Sequence, residues 1–235
     1  MTDRRPPDTA LMATASPSGV LALEQLDVPL VVLVGGATGT GKSTVATEVA
    51  HRLGITRVTS TDVVRQTMRA FFSREFMPSI HYSSFEAAPS VEASDDRETD
   101  RLLLGFLEQT RNVLVGVHAV LARALEEGYS LALEGVHLVP GLLPPLEGAV
   151  FCQVLLAIED EEEHAAHFWT RNGEGLRPFD KYLQALPDIR RIQDYLIARA
   201  EKAHVPVIEN ASIDTAVDHV IDLVLAEVER VRSPA

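Results

Sequence analysis

Gly36-Ala37-Thr38-Gly39-Thr40-Gly41-Lys42-Ser43 places a lysine and a hydroxyl directly behind three glycines, with Thr44 next. The spacing is that of a Walker A loop, and the flanks match it: the apolar run Leu30 to Val34 before it and a helical pattern after it. Glycines let a backbone close around phosphates with its amides turned inward, and the first turn of a helix adds its dipole. Lys42 is expected to reach the β- and γ-phosphates of a nucleoside triphosphate. Ser43 is expected to give an oxygen to Mg2+, with Thr44 a weaker helper. The loop points to a phosphoryl donor and leaves the acceptor open.

Other residues suit the acceptor side. Asp62 directly follows the second strand-like segment, and open α/β sheets hold ligands at the carboxyl ends of their strands. There it can orient or deprotonate an acceptor hydroxyl, or hold Mg2+ through water; as an acid in a first helical turn it can equally be a plain cap. Arg65 and Arg69 are four apart and share a helix face, turned either to the cleft as an anion clamp or to solvent. Glu134 ends an apolar strand just before Gly135, as a metal-associated carboxylate or a structural one. His137 reads as a loop histidine that satisfies backbone groups. His164 and His167, in "HAAH", have a metal-like spacing without a third ligand, so no zinc is expected. Arg171 and Arg177 flank "NGEGL", and Arg190 and Arg191 follow "KYLQALPDI". A lid closing here would exclude water and bring one of these cations onto the transferring phosphate. A solvated helical hairpin is the plainer alternative.

These groups need a scaffold, and the hydrophobic pattern supplies one. Strand-like segments at 30–34, 55–60, 129–134, 149–158 and 205–209 alternate with helical segments at 42–54, 61–75, 99–127 and 212–231. Residues 74–98 lack a clear period, and connections beyond about 12–15 residues are often functional. Strands separated by helical crossovers imply an α/β protein of the P-loop NTPase fold, a five-stranded, mostly parallel sheet flanked by helices. Residues 1–28 read as a flexible tail and 29–235 as one domain, with a helical lid at about 159–200.

Composition narrows the partners. Asp and Glu number 34 against 21 Lys and Arg, a net charge of −13. That balance argues against nucleic acid held on a broad basic surface, but a few arginines in a cleft suffice for a small anion. The single cysteine, Cys152, excludes an intrachain disulfide and sits in an apolar run as a buried small hydrophobe. No stretch approaches the roughly 20 apolar residues of a bilayer span, so no membrane association and a cytoplasmic location are expected. The sequence is compatible with a monomer or a homodimer.

The chain also resembles the 2-phosphoglycerate kinase family. The resemblance rests on "GGATGTGKSTVATEVAHRLGI", "VTSTDVVRQTMR", "HYSSF", "GFLEQTRNVLVGVHAVLARALEEGYSLALEGVHLVPG" and "KYLQALPDIRRIQDYLIARAEKAHVPVIEN", from about residue 34 to 210. It implies ATP and Mg2+ at Gly36 through Thr44, and transfer of the γ-phosphoryl group to the 3-hydroxyl of 2-phospho-D-glycerate. It implies an acceptor pocket of Asp62, Arg65, Arg69, His81, Ser83, Ser84, Glu134 and His137, with Lys181, Arg190, Gln193 and Asp194 on the lid side. Ser43, Asp62 and Glu134 would serve the metal. Asn210 ends the fifth strand, where the loop approaches the nucleotide base in related kinases. One departure is His167, where the family pattern "H..RF..R" has a permanent cation. Methanogen-type members carry further N-terminal sequence, so regulation through such a region is not expected here. The alternatives are a P-loop kinase for another small anionic hydroxy metabolite and a non-catalytic ATP-binding regulator.

Overall fold

The computed structural model describes residues 26–92, 100–143, 146–172 and 179–232. In chain order the strands are Leu30–Gly36 (β1), Val58–Ser60 (β2), Leu131–Glu134 (β3), Val150–Ala157 (β4) and Val207–Glu209 (β5). The helices are Lys42–Arg52 (α1), Thr61–Phe71 (α2), Arg101–Glu127 (α3), Glu161–Asn172 (α4), Phe179–Gln184 (α5), Leu186–Ala203 (α6) and Ile213–Arg232 (α7). β1 is buried along its whole length, and a strand with no polar side must be covered on both faces. It pairs in parallel with β3 on one edge and β4 on the other. β2 extends the sheet beyond β3 and β5 beyond β4, giving the parallel order β2-β3-β1-β4-β5.

Alternation along the strands sorts the core into layers. Leu30, Val32, Val34, Cys152, Val154 and Leu156 face Val45 and Val49 of α1 and Val217 and Val224 of α7. Val31, Leu33, Leu131 and Leu133 face Val113, Val117 and Leu121 of α3. Ile189, Ile192 and Leu196 of α6 pack with Leu155 and Phe106 on that second side. Each such aliphatic side chain contributes about 1.5–3 kcal/mol by leaving water. Burial pushes the Cys152 thiol up to about 12, in keeping with a packing role. Leu26 and Val28, placed in the tail by sequence, already pack on the α1–α7 layer.

Two boundaries bear on the site. The Ser60 hydroxyl accepts from Val63 N at 3.1 Å and so caps α2, leaving the Asp62 carboxylate for other work. α2 stops at Phe71 rather than Glu75, because Phe72 turns extended and tucks against the α3 layer. The irregular stretch beyond it contains single turns at Pro78–His81, Ser84–Glu86 and Ala88–Ser90. They sit against α3 and form one wall of the cleft described next. Within the expected lid, α6 is built into the core through Ile189, Ile192, Leu196 and Ala200.

Candidate active site

The turn between β1 and α1 is shaped by side chains that hold its carbonyls. Lys42 Nζ and Thr40 Oγ1 donate to Ala37 O at 2.7 and 3.0 Å. Asn210 Nδ2, from the end of β5, donates to Thr40 O at 2.9 Å. Gly41 opens α1 with φ +79°, and a Cβ there would lie 2.4 Å from Asn210 Nδ2, so both conformation and space require glycine. With its carbonyls so engaged, the loop offers its amides to an anion.

The loop opens on a cleft of about 760 Å³ whose lining includes Lys42, Ser43, Asp62, Arg65, Glu134 and Tyr182. Ser43 Oγ donates to Glu134 Oε1 at 3.0 Å, joining the first turn of α1 to the end of β3. This hydroxyl and carboxylate are hard oxygen donors of the kind Mg2+ takes alongside phosphate oxygens and water, so the residues present fit that ion. Asp62 lies across the cleft with its side chain 64% exposed, 3.2 Å from Arg65 Nε. Burial alone would raise its pKa. The Arg65 guanidinium, by charge and hydrogen bond and with Lys42 adding, outweighs that and holds the carboxyl below its ordinary value. Asp62 is therefore a carboxylate at neutral pH, suited to accepting a hydrogen bond from a hydroxyl.

Arg65 is a brace as well as a wall. Its Nη1 donates to Ile80 O and Tyr82 O, both at 2.9 Å, which fixes the turn segment to α2. Gln109 of α3 grips the same segment, its amide nitrogen donating to Ser79 O at 2.6 Å and Tyr82 O at 3.0 Å. Its oxygen therefore faces His137 and accepts from Nε2–H at 3.0 Å, leaving Nδ1 to accept from the Thr61 hydroxyl at 2.8 Å. This chain of polar groups is buried, and His137 has no exposed surface. Desolvation, reinforced by Arg65 and Lys42 and opposed by Asp62, lowers His137 to about 3.

A second depression of about 770 Å³ adjoins the first and shares Arg65, Gln66, Ser83 and Phe85 with it. Arg69, Arg74 and Lys181 line it, and Lys181 also pairs with Glu86 at 2.7 Å. The structure thus brings Lys42, Ser43, Asp62, Arg65, Ser83, Ser84 and Glu134 to one cleft and Arg69 and Lys181 to its annexe. Thr44 is exposed on α1.

Two expected acceptor residues, His137 and Arg190, stand elsewhere, and a third, His81, reaches the annexe with its ring engaged by the backbone. His137 is sealed behind the cleft wall and supports Thr61 from within. His81 borders the annexe, but its Nε2 donates to Phe72 O at 2.9 Å, so the ring pins the end of α2. Arg190 places Nη1 on Ile158 O and Nη2 on Glu159 O, both at 2.8 Å, and so braces the exit of β4 away from the cleft. Asn210 lies beneath the phosphate loop, 1% exposed. Arg177 and the side chain of Arg171 lie outside the described residues. Sequence reasoning missed Arg74, Tyr182, Thr61 and Gln109. Gln109 had left a signal, a glutamine within the apolar stripe of α3 between Phe106 and Val113.

The buried histidines make stability acid-sensitive. Burial also lowers His164, to about 4. Both rings are neutral when folded above these values, while unfolded histidine takes a proton near 6.5. The unfolded state therefore binds more protons as pH falls from 6.5 to 4, and stability is lost over that window at up to about 1.4 kcal/mol per histidine per pH unit. Chemical denaturation from pH 7.5 to 4.5 should show this fall. His137→Gln should flatten its slope by about one proton, and an unchanged slope would contradict the assignment.

A parallel sheet in this order, with a phosphate loop behind its central strand and carboxylates from adjoining strand ends opposite, defines a P-loop kinase of the small-molecule type. No family model matches the chain. The 2-phosphoglycerate kinase of Thermococcus kodakarensis is 41% identical over 207 residues, covering 88% of this chain and 70% of that one. That of Methanothermobacter thermautotrophicus is 40% identical over 203 residues, with 85% and 66% covered. The chain belongs to the 2-phosphoglycerate kinase family. It spans about two thirds of the length of these curated relatives. Among solved structures, a gluconokinase from Sinorhizobium meliloti 1021 gives a TM-score of 0.46 at 14% identity, covering 87% of this chain and 94% of that one. Shikimate kinase from Acinetobacter baumannii, in complex with shikimate, gives 0.45 at 18% identity, covering 88% and 97%. Among the described residues, no helix is long and apolar enough to cross a membrane.

Proposed function

We propose that the protein transfers the γ-phosphoryl group of ATP to the 3-hydroxyl of 2-phospho-D-glycerate, giving ADP and 2,3-diphosphoglycerate. The observation that carries this is a cleft that holds Lys42 of the phosphate loop together with Asp62 and Arg65, and an adjoining depression, sharing Arg65 with it, that adds Arg69, Arg74 and Lys181. A compact acceptor with a carboxylate, a phosphate and one free hydroxyl matches that set of charges.

The loop amides and Lys42 hold the donor's phosphates and offset negative charge on the group in transit. Asp62 accepts a hydrogen bond from the acceptor hydroxyl and turns its oxygen toward the γ-phosphorus. The new O–P bond forms as the bond to the β-phosphate oxygen breaks, with the electron pair leaving on ADP and the hydroxyl proton passing to Asp62 or water. Arg69 and Lys181 hold the acceptor's anionic groups, while Arg65 keeps the wall in place. Ser43 and Glu134 would hold Mg2+, which would supply further charge neutralisation at the phosphates. Exclusion of water and a further cation are assigned to the segment that carries Arg171 and Arg177, since α6 belongs to the core. A purely regulatory nucleotide binder would not need Asp62 on the same cleft as Lys42.

The test is turnover of ATP with Mg2+ and, in parallel, 2-phosphoglycerate, 3-phosphoglycerate, glycerate or no acceptor. 2-Phosphoglycerate should give a kcat/KM at least about a hundredfold above the other two compounds, since glycerate lacks the phosphate the site is built to hold and 3-phosphoglycerate presents its free hydroxyl on the wrong carbon. Equal rates across the panel would remove this acceptor.

A further inference from the structure

The histidines of "HAAH" have a different task from the metal binding their spacing suggests. On α4, His164 Nε2 donates to Thr38 O at 2.8 Å and His167 Nδ1 donates to Gly39 O at 3.1 Å. The two rings thus address neighbouring carbonyls of the phosphate loop, and among the described residues no group of three ligands that could hold an ion is found. His164 has no exposed surface, and its second nitrogen has no hydrogen-bond partner among the described residues. Its buried position is therefore set by the Thr38 contact and by ring stacking. Phe168 stacks on His164 at 5.6 Å between centroids and presses on Gly39, where an added Cβ would lie 2.6 Å from its ring.

Together with Lys42, Thr40 and Asn210, these contacts give every carbonyl from Ala37 to Thr40 a side-chain donor. A loop whose carbonyls are held by side chains keeps its shape on binding, with its amides other than that of Thr40, which turns to Ala37 O, left for phosphate, and this lowers the cost of binding. Phe168 also stacks on Tyr182, 5.3 Å between centroids, and Tyr182 lines the cleft.

We infer that His164 and His167 are positioning residues of the phosphate loop, and that α4 clamps this loop in its phosphate-receiving shape from outside the cleft. The inference rests on the nucleotide-binding reading and does not depend on the acceptor. Neither histidine lines the cleft itself, and both act on the backbone of the phosphate loop, so the effect falls on nucleotide affinity and not on acceptor recognition.

The test is titration of the full chain with a fluorescent ADP analogue and Mg2+, with steady-state kinetics beside it. His167→Ala removes the donor at a half-buried site and should weaken nucleotide binding about fivefold. KM for ATP should rise in parallel, while KM for the acceptor and the melting temperature stay near wild type. His167→Asn puts an amide N–H where Nδ1 stood and should restore affinity to within twofold. His164→Leu should weaken binding about tenfold, and His164→Gln, whose amide reaches the place of Nε2, should recover most of it. If His164→Leu fails to fold, the His167 pair still decides. Wild-type affinity in His167→Ala, or an equal loss in His167→Asn, overturns the clamp. Absence of nucleotide binding in the unaltered protein would instead overturn the functional reading beneath it.

Discussion

Lys42→Ala lowers phosphoryl transfer by at least about a thousandfold, an expected loss near 4 kcal/mol of transition-state stabilisation. The size follows from where the ammonium sits. Lys42 is 9% exposed at the floor of the cleft, on the first residue of α1, where the helix dipole and the loop amides act on the same charge. Charge placed in a confined site changes the barrier far more than it would in water. The fold should survive, because Thr40 also donates to Ala37 O and the carbonyls of Thr38, Gly39 and Thr40 have other donors. Single-turnover kinetics beside a thermal melt separate the two effects. A tenfold loss or less, in a folded protein, would remove Lys42 from the chemistry.

Asp62→Asn comes second, with an expected fall in kcat of about a hundred- to a thousandfold and a small change in KM for ATP. The amide keeps the shape but accepts a hydroxyl proton poorly. The pocket wall should stay in place without the carboxylate, since Arg65 retains Ile80 O and Tyr82 O. Because Arg65 holds Asp62 below the ordinary carboxylate value, the acid limb that Asp62 contributes to the pH profile of kcat/KM should also lie below that value. Loss of ATP affinity with unchanged kcat would mean that Asp62 serves the donor and not the acceptor.

The parts of the molecule legible in the sequence are those fixed by local pattern. Gly36 to Ser43 carries its own geometry, and the apolar runs of β1 and β4 had to be interior strands. The end of α3 at Gly128 was equally clear, since the residue there takes a positive φ. What escaped depends on partners distant in the chain. Whether Asp62 capped α2 turned on Ser60 doing so first. Arg65 and Arg190 looked alike as free cations, yet the acceptors that place them are carbonyls of other elements. The Thr61–His137–Gln109 chain joins three separate segments, and only the sheet order and the packing of α3 bring them together. The spacing of His164 and His167 was readable, but its meaning required knowing that α4 lies against residues 38 and 39.

The most direct measurement is the 31P NMR spectrum of the products when the protein is given ATP, Mg2+ and 2-phosphoglycerate. The expected result is ADP together with two new phosphomonoester signals of equal area from a glycerate phosphorylated at both its 2- and 3-oxygens. Conversion of ATP to ADP and inorganic phosphate alone, with 2-phosphoglycerate left intact, would contradict the proposed transfer.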